Sequence, residues 1–381
     1  MKIIVDENIP FGKELFGSLG EVTLISGRNI THDTLQDASA LIVRSITPVN
    51  EALLKGTNIQ FVGSTTTGTD HIALDYLKQE GIGFSAAIGA NANSVAEYVL
   101  TAILTESHRR NLSVHETTLG IVGVGNIGTL VAQKAKGLGM TIFLNDPPRG
   151  IATKDPNFLP LEALLETDFL TLHVPLTFEG PHATFHLFGE EILAKLSSHT
   201  TLLNTSRGAV VDNQALLKAI KKKSLPPPIL DVWEHEPNIS WDLLSHVAVG
   251  TPHIAGHSFD GKIQGAQQVY QAVCDFYQTP PVLAPIPEFQ IEDHSCIFID
   301  AEGKDLEETF NELVSQAYSL HVDHAHLKNL LQHAEENRPH DFDQLRKHYP
   351  RRREFHTQKV VVTNGTSHLT NQIKCLGFSI H

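Results

Sequence analysis

Gly123-Val124-Gly125-Asn126-Ile127-Gly128 lies between an apolar run, Thr118 to Val122, and a stretch of helical character, Thr129 to Leu138. A second apolar run, Thr141 to Leu144, follows, and Asp146 stands just beyond it. This order is what a dinucleotide-binding turn requires. Gly123 permits the tight turn, Gly125 lets the backbone approach a pyrophosphate, and Gly128 lets helix and strand pack closely. The helix N-terminus then faces the anion. An acid at Asp146 can accept hydrogen bonds from a ribose 2′-hydroxyl and would repel a 2′-phosphate, which favours NAD over NADP. A glycine-rich turn alone is a weak signal, because such turns are common. Strand, loop, helix, strand and acid in sequence make a strong one.

The same alternation extends in both directions. Upstream, Ile3 to Val5, Leu41 to Arg44 and Phe61 to Ser64 read as short strands, with a helix from Phe11 to Leu19. Asn93 to Arg110 reads as a long amphipathic helix, with Val95, Val99, Ala102 and Ile103 on one side. Downstream, strands are expected at Phe169 to Val174, Thr201 to Asn204, Ile229 to Val232 and Val247 to Val249. Such repetition implies an α/β chain with a Rossmann-type, doubly wound parallel sheet. Phe259 to Tyr277 reads as a second long helix, placed where the chain would cross back to the first domain. Thr279 to Pro287 is a proline-rich linker. Beyond it strands Ser295 to Ile299 and Val360 to Thr363 and helices Asp305 to Leu320 and His326 to Glu335 are expected. The predicted organisation is a discontinuous α/β substrate domain (1–100 and 258–285), a dinucleotide-binding domain (101–257) and a small C-terminal α+β domain (286–381).

The 381 residues are 41% hydrophobic and 19% charged, as in an ordinary globular chain, and carry a formal net charge of −14. That balance argues against a nucleic-acid partner or an anionic membrane surface, either of which would need a basic face. Three scattered cysteines form no disulfide framework and no zinc pattern, so a reducing cytoplasm and no metal are expected. The start, Met1 to Glu7, does not read as a secretory leader. His321-Val322-Asp323-His324-Ala325-His326 has metal-ligand residue types, but a polar helix surface or helix junction is the expected reading.

Three polar residues each follow a strand of the dinucleotide-binding sheet: Arg207, Glu236 and His253. The carboxyl ends of such strands form the ligand crevice. Oxidation of an alcohol needs a base for the hydroxyl proton, and His253 can serve near neutral pH. A carboxylate beside it, Glu236, would favour the imidazolium and orient the ring. Arg207 can hold a substrate carboxylate bidentately and polarise the developing carbonyl.

The blocks Asn204 to Asp212, Asp231 to Pro237 and Thr251 to Gly256 resemble the signatures of the D-isomer-specific 2-hydroxyacid dehydrogenases. The resemblance implies hydride transfer between a 2-hydroxy acid and NAD, with Arg207, Glu236 and His253 in the roles just argued. It implies cofactor contacts at Gly123, Gly125, Asn126, Ile127, Gly128, Asp146, Val174, Thr205, Ser206, Asp231 and Gly256. It also implies that the loop Ser64 to Asp70 holds the substrate carboxylate through backbone N–H groups. Met1 to Pro10, Val43-Arg44-Ser45, Gly68 to His71, Gly81 to Ala87 and Asp146 to Arg149 narrow it to one branch. In that branch the substrate is a small phosphorylated hydroxy acid, and a C-terminal extension serves homodimerisation. Asp341 to Lys347 and Arg352 to Glu354 resemble that extension. Ser45, Thr66 and position 257 are implied substrate contacts.

Two positions depart from the branch. His257 stands where a tyrosine is usual, and Val174 where a threonine is common. For the phosphate, Arg44 and Ser45 at the end of an early strand are the leading candidates. The basic group Arg346, Lys347, Arg352 and Arg353 is the second candidate, with a solvated surface as its alternative. Two other functions stay open: a dehydrogenase of another 2-hydroxy acid such as 3-phosphoglycerate, and a non-catalytic NAD sensor of the same fold.

Overall fold

The computed structural model describes residues 1–282 and 296–381. The start of the expected strand at Ser295 and most of the proline-rich linker lie outside them. The chain divides into two compact units, Met1–Asn91 with His257–Asp293 and Ala92–Gly256 with His294–His381, where three domains were expected.

The first unit is built on five parallel strands: β1 (Lys2–Asp6), β2 (Glu21–Ile25), β3 (Ala40–Val43), β4 (Phe61–Ser64) and β5 (Gly83–Ala86), in the order β2-β1-β3-β4-β5. Every residue of β3 and β4 is buried, as expected of strands covered on both faces. On one face Ile3, Val5, Ile42 and Phe61 pack with Val269, Tyr270 and Val273 of the helix Phe259–Phe276. On the other, Ile4, Leu41, Val43 and Val62 pack with Leu35, Leu53 and Leu77. The late helix thus returns to the first sheet. It sits so close that a Cβ on Gly63 would stand 2.3 Å from Val269 Cγ1. Strands β2 and β5 are absent from the sequence reading. Both are edge strands with partly exposed residues, so neither carries the continuous apolar run that marks a central strand.

The second unit holds six parallel strands: β6 (Thr118–Val122), β7 (Thr141–Asn145), β8 (Phe169–Leu172), β9 (Thr201–Asn204), β10 (Ile229–Leu230) and β11 (Val249–Gly250), in the order β7-β6-β8-β9-β10-β11. The chain steps to one side of β6 to form β7 and then crosses back to β8. The switch point therefore lies above the carboxyl ends of β6 and β8, where ligands bind in such sheets. Past the linker, β12 (Ile297–Asp300), β13 (Lys359–Thr363) and β14 (Ser379–Ile380) form a small parallel sheet with helices between them.

The helix Ala92–Arg110 corrects two expectations. It lies wholly in the second unit, so it does not straddle a boundary at residue 100. Nor is it amphipathic in place: from Ala92 to Ser107 every residue but Asn93 is buried. Helix Asn126–Gly137 packs against it from the dinucleotide-binding part, and helix Leu306–Ala317 from the C-terminal part. Val95, Val99 and Ile103 share one core with Val131, Leu138, Phe310, Leu313, Val314 and Ile373. The C-terminal segment is therefore not an appended globule. Its apolar face completes the core around this helix.

Glu97 lies within that helix and is 2% exposed. Its Oε1 accepts from Phe355 N at 2.9 Å and from Asn93 Nδ2 at 2.8 Å, and Asn93 Nδ2 also reaches Glu354 Oε2 at 2.6 Å. Burial, followed by the neighbouring Glu354 charge, raises the Glu97 carboxyl from its ordinary 4.5 to about 8. Between those values the folded chain holds a proton that the unfolded chain has lost. Stability attributable to Glu97 is therefore greatest at low pH and falls as pH rises through that window. Glu97→Gln removes this titration. It should flatten the dependence of Tm on pH, with more gain over wild type at about pH 8.5 than at about pH 5. Thermal melts at both pH values test this, and parallel wild-type and variant curves would contradict it.

Candidate active site

The glycine loop follows β6 directly, and helix Asn126–Gly137 begins within it. Gly123 has φ 89, and a Cβ there would stand 2.6 Å from the His173 carbonyl oxygen and 2.8 Å from Val174 Cγ1. Only glycine lets the β6 and β8 ends meet this closely. At Gly125 an added Cβ would meet nothing within 4 Å, which leaves open space over the turn. At Gly128 it would stand 2.1 Å from Gly123 O, so the third glycine permits the helix to start against the strand end. Asn126 is exposed at the helix start, and Ile127 packs partly into the core.

A cavity of about 880 Å³ opens beside this loop, lined by Gly123, Gly125, Asp146, Phe158, His173 and Val174 among others. Its size suits a nucleotide. The open space at Gly125, the N–H-bearing helix start and the acid at the rim fit the dinucleotide that the loop predicts. Asp146 Oδ2 accepts from Val124 N at 2.9 Å, and Oδ1 accepts from Arg149 N at 3.1 Å as the cap of helix Pro147–Thr153. A carboxylate has further acceptor sites, so these bonds orient Asp146 without exhausting it. The Arg149 guanidinium also donates to Val124 O, which ties the acid's helix to the glycine loop.

The three candidate catalytic residues sit beyond β9, β10 and β11. Arg207 precedes the short turn Gly208–Val210, and its Nη1 donates to Ser206 O at 2.8 Å. Ser206 is buried, with its N and Oγ both donating to Asn204 Oδ1. Thr205 Oγ1 lies 3.3 Å from His173 Nδ1. A Cβ at Gly208 would stand 1.9 Å from Trp233 O. This glycine therefore brings the arginine's loop against the loop that carries Glu236.

His253 Nδ1 lies 2.8 Å from Glu236 Oε2, and Trp233 N donates to Glu236 Oε1 at 2.9 Å. Burial alone would raise the Glu236 carboxyl. The His253 charge and hydrogen bond, the nearby Arg346 charge and the Trp233 N–H outweigh burial and hold it below its ordinary value. With Nδ1 turned to the carboxylate, Nε2 is the nitrogen left to exchange a substrate proton. His253 itself has φ 57, a left-handed backbone that a non-glycine residue adopts only when its surroundings impose it.

Asp231 imposes part of that shape. This implied cofactor contact is 1% exposed, and its carboxylate braces the histidine loop. Its Oδ1 accepts from Thr251 Oγ1 at 2.6 Å and Ile254 N at 2.7 Å, and its Oδ2 from Ala255 N at 3.0 Å. Its backbone O accepts from His253 N at 2.7 Å. Gly256, partly buried, ends this loop.

The implied substrate contacts Arg44, Ser45, Thr66 and His257 belong to the first unit. Arg44 Nε donates to the buried Asp6 Oδ2 at 3.1 Å, which engages one edge of a guanidinium that has five N–H donors. Ser45 is exposed, His257 is half-buried, and Thr66 Oγ1 lies 3.0 Å from Ser64 Oγ. The basic C-terminal group does not act as one patch. Lys347 is exposed, Arg346 lies near enough for its charge to act on Glu236, and Arg352 is buried with donors on backbone carbonyls. That corrects the reading of Arg352 as a phosphate ligand. The histidine cluster does not gather as a metal site. Asp323 accepts from the Tyr318 and Tyr349 hydroxyls, and His324 Nδ1 accepts from Gly250 N.

His173 is absent from the sequence reading. It follows β8 at the switch point, lines the cavity, and is pushed down to about 3 by burial. It is therefore neutral there, with Nε2 3.1 Å from Thr171 Oγ1. The signal for it was a polar residue at the carboxyl end of an apolar strand, the same signal that marked Arg207 and His253.

The solved D-lactate dehydrogenase of Aquifex aeolicus, complexed with NAD and lactic acid, shares this fold with a TM-score of 0.62 at 24% identity. The match covers 73% of this chain and 96% of that one. A family model described as D-isomer specific 2-hydroxyacid dehydrogenase, NAD binding domain, matches residues 87–255. A second, described only as a domain of unknown function, matches residues 292–377. The second unit therefore contains the NAD-binding domain of a dehydrogenase. The erythronate-4-phosphate dehydrogenase of Baumannia cicadellinicola subsp. Homalodisca coagulata is 45% identical over 383 aligned positions, covering 99% of each chain. That of Yersinia pestis (strain Pestoides F) is 42% identical over 385, covering 100% of this chain and 99% of its own. The chain belongs to the D-isomer-specific 2-hydroxyacid dehydrogenases and, within them, to the erythronate-4-phosphate dehydrogenase family. Among the described residues, no helix is long and apolar enough to cross a membrane.

Proposed function

We propose that the protein oxidises 4-phospho-D-erythronate at C2 to (R)-3-hydroxy-2-oxo-4-phosphooxybutanoate, a step on the route to pyridoxal 5′-phosphate. The observation that carries this reading is full-length similarity to relatives of that name, joined to a Glu236–His253 pair in hydrogen-bond contact. Bound NAD supplies the hydride acceptor. His253 Nε2 takes the C2 hydroxyl proton while Glu236 stabilises the imidazolium that results. Arg207 holds the substrate carboxylate and stabilises charge developing on the C2 oxygen. Ser45, Thr66, His257 and the N–H groups of Ser64 to Asp70 are the remaining proposed substrate contacts, with Arg44 and Ser45 at the phosphate. The protein acts in the cytoplasm as a homodimer. In support of the dimer, closed two-fold pairs are the commonest homo-oligomers, and Phe298 on β12 is 66% exposed.

The test is NADH absorbance with the full chain and a panel of acids: 4-phospho-D-erythronate, D-erythronate and 3-phosphoglycerate, with a 2-oxo acid available as acceptor. Turnover should be highest with the first, and a preference for 3-phosphoglycerate would overturn the reading. The panel should run with NAD in preference to NADP. Asp146→Ala should weaken NAD about 10- to 100-fold, the cost of charge-assisted bonds to the ribose, and narrow the gap to NADP. Equal use of both cofactors by the wild type would remove this role from Asp146.

A further inference from the structure

The loop that carries His253 is gripped from two directions, and only one of them is the dinucleotide-binding sheet. From the C-terminal segment, His324 Nδ1 accepts from Gly250 N at 2.9 Å, three residues before His253. Arg352 Nη2 donates to Ala255 O, two residues after it. The same Nη2 donates to Ser94 O at 3.2 Å and to Ser94 Oγ, and Ser94 Oγ itself donates to Ala255 O at 2.9 Å. The Arg352 guanidinium lies over the Tyr318 ring, 4.4 Å from its centroid, and is 7% exposed. Tyr318 and Tyr349 each donate a hydroxyl to Asp323 Oδ2, at 3.0 and 2.8 Å.

A buried guanidinium is a poor device for stability alone, because desolvation offsets most of what its contacts contribute. Here its hydrogen bonds go to backbone carbonyl and hydroxyl oxygens at the ends of the histidine loop and the central helix. Such bonds specify position. They fix the carbonyl of Ala255, the residue whose N–H is already held by Asp231. His253 needs this constraint, because its left-handed φ is held by the surroundings.

We infer that Arg352 and His324 are positioning residues for the hydride-transfer reaction, through which the C-terminal segment sets the geometry of His253. The inference rests on the assignment of His253 as the proton acceptor. It also gives the segment matching a domain of unknown function a part in catalysis within its own chain.

The experiment is a set of variants in the full-length protein: Arg352→Met, His324→Leu and His324→Asn, with the first two repeated in a His253→Ala background. Turnover, NAD affinity by fluorescence quenching and Tm are measured for each. Arg352→Met and His324→Leu should each lower kcat about 10- to 100-fold, the scale of a small misplacement of a reacting group. NAD affinity should stay within about two-fold, far below the effect on a group that binds the cofactor directly. His324→Asn, whose Oδ1 can accept from Gly250 N where Nδ1 did, should recover most of the His324→Leu loss. In the His253→Ala background neither substitution should lower the residual rate further, since effects through one group are not additive. The same fractional loss in that background would overturn the inference, as would unchanged kcat in the single variants. If Arg352→Met does not fold, the His324→Leu and His324→Asn pair decides alone. Wild-type activity in His253→Ala would instead overturn the catalytic assignment, a different outcome from failure of the brace.

Discussion

Arg207→Ala should reduce kcat/KM about 100- to 1,000-fold, the usual cost of removing one preorganised donor from developing charge. NAD affinity should change little, because Arg207 serves the substrate in the proposed mechanism. The close approach of this loop to the Glu236 loop requires Gly208, where no side chain would fit against Trp233 O, and the substitution leaves that glycine in place. Arg207→Lys should rescue only part of the loss, since an ammonium cannot bind a carboxylate in the planar bidentate fashion. Single-turnover absorbance with a separate measurement of NAD binding tests this. A near wild-type kcat/KM in Arg207→Ala would exclude the role.

His253→Ala should lose about 100- to 10,000-fold in kcat, the range of a positioned general base. Glu236→Gln is more diagnostic, because it preserves shape and changes charge. In the direction of alcohol oxidation the imidazole must be neutral to accept a proton. The Glu236 carboxylate, 2.8 Å away, stabilises the imidazolium formed as the proton is taken. Without that charge-assisted contact kcat should fall about 10- to 100-fold. The carboxylate is present for this over the working range, since its interactions with His253 outweigh the cost of burial. An unchanged kcat in Glu236→Gln would take Glu236 out of the proton relay.

Much of this site was legible as a pattern of residues after strands. Arg207, Glu236 and His253 are far apart in sequence, but a parallel sheet puts the carboxyl ends of its strands on one edge. Recognising the strands therefore predicted the grouping, and the Glu236–His253 contact follows it. Of the proposed substrate contacts in the first unit, Arg44 and Ser45 also follow a strand, whereas Thr66 and His257 were legible only through family resemblance. Nothing about Thr66 or His257 marks them in local periodicity.

Local sequence was enough for what depends on near neighbours in the chain. The glycine spacing of 123, 125 and 128 encodes a turn, because backbone freedom at those positions is a property of the residues themselves. The apolar runs of β6, β8 and β9 encode buried strands for the same reason. Only the tertiary structure decided what depends on distant partners. Helix Ala92–Arg110 reads as having a polar face, yet it is buried because residues more than two hundred positions later cover it. Arg352 reads as part of a basic surface, yet its charge is inside, because Ser94 and Ala255 present oxygens to it. Asp231 stands after a strand as an acid open to solvent or a ligand, yet its oxygens hold the histidine loop. In each case the chain's own chemistry offered two outcomes, solvent or a partner, and long-range packing selected the partner.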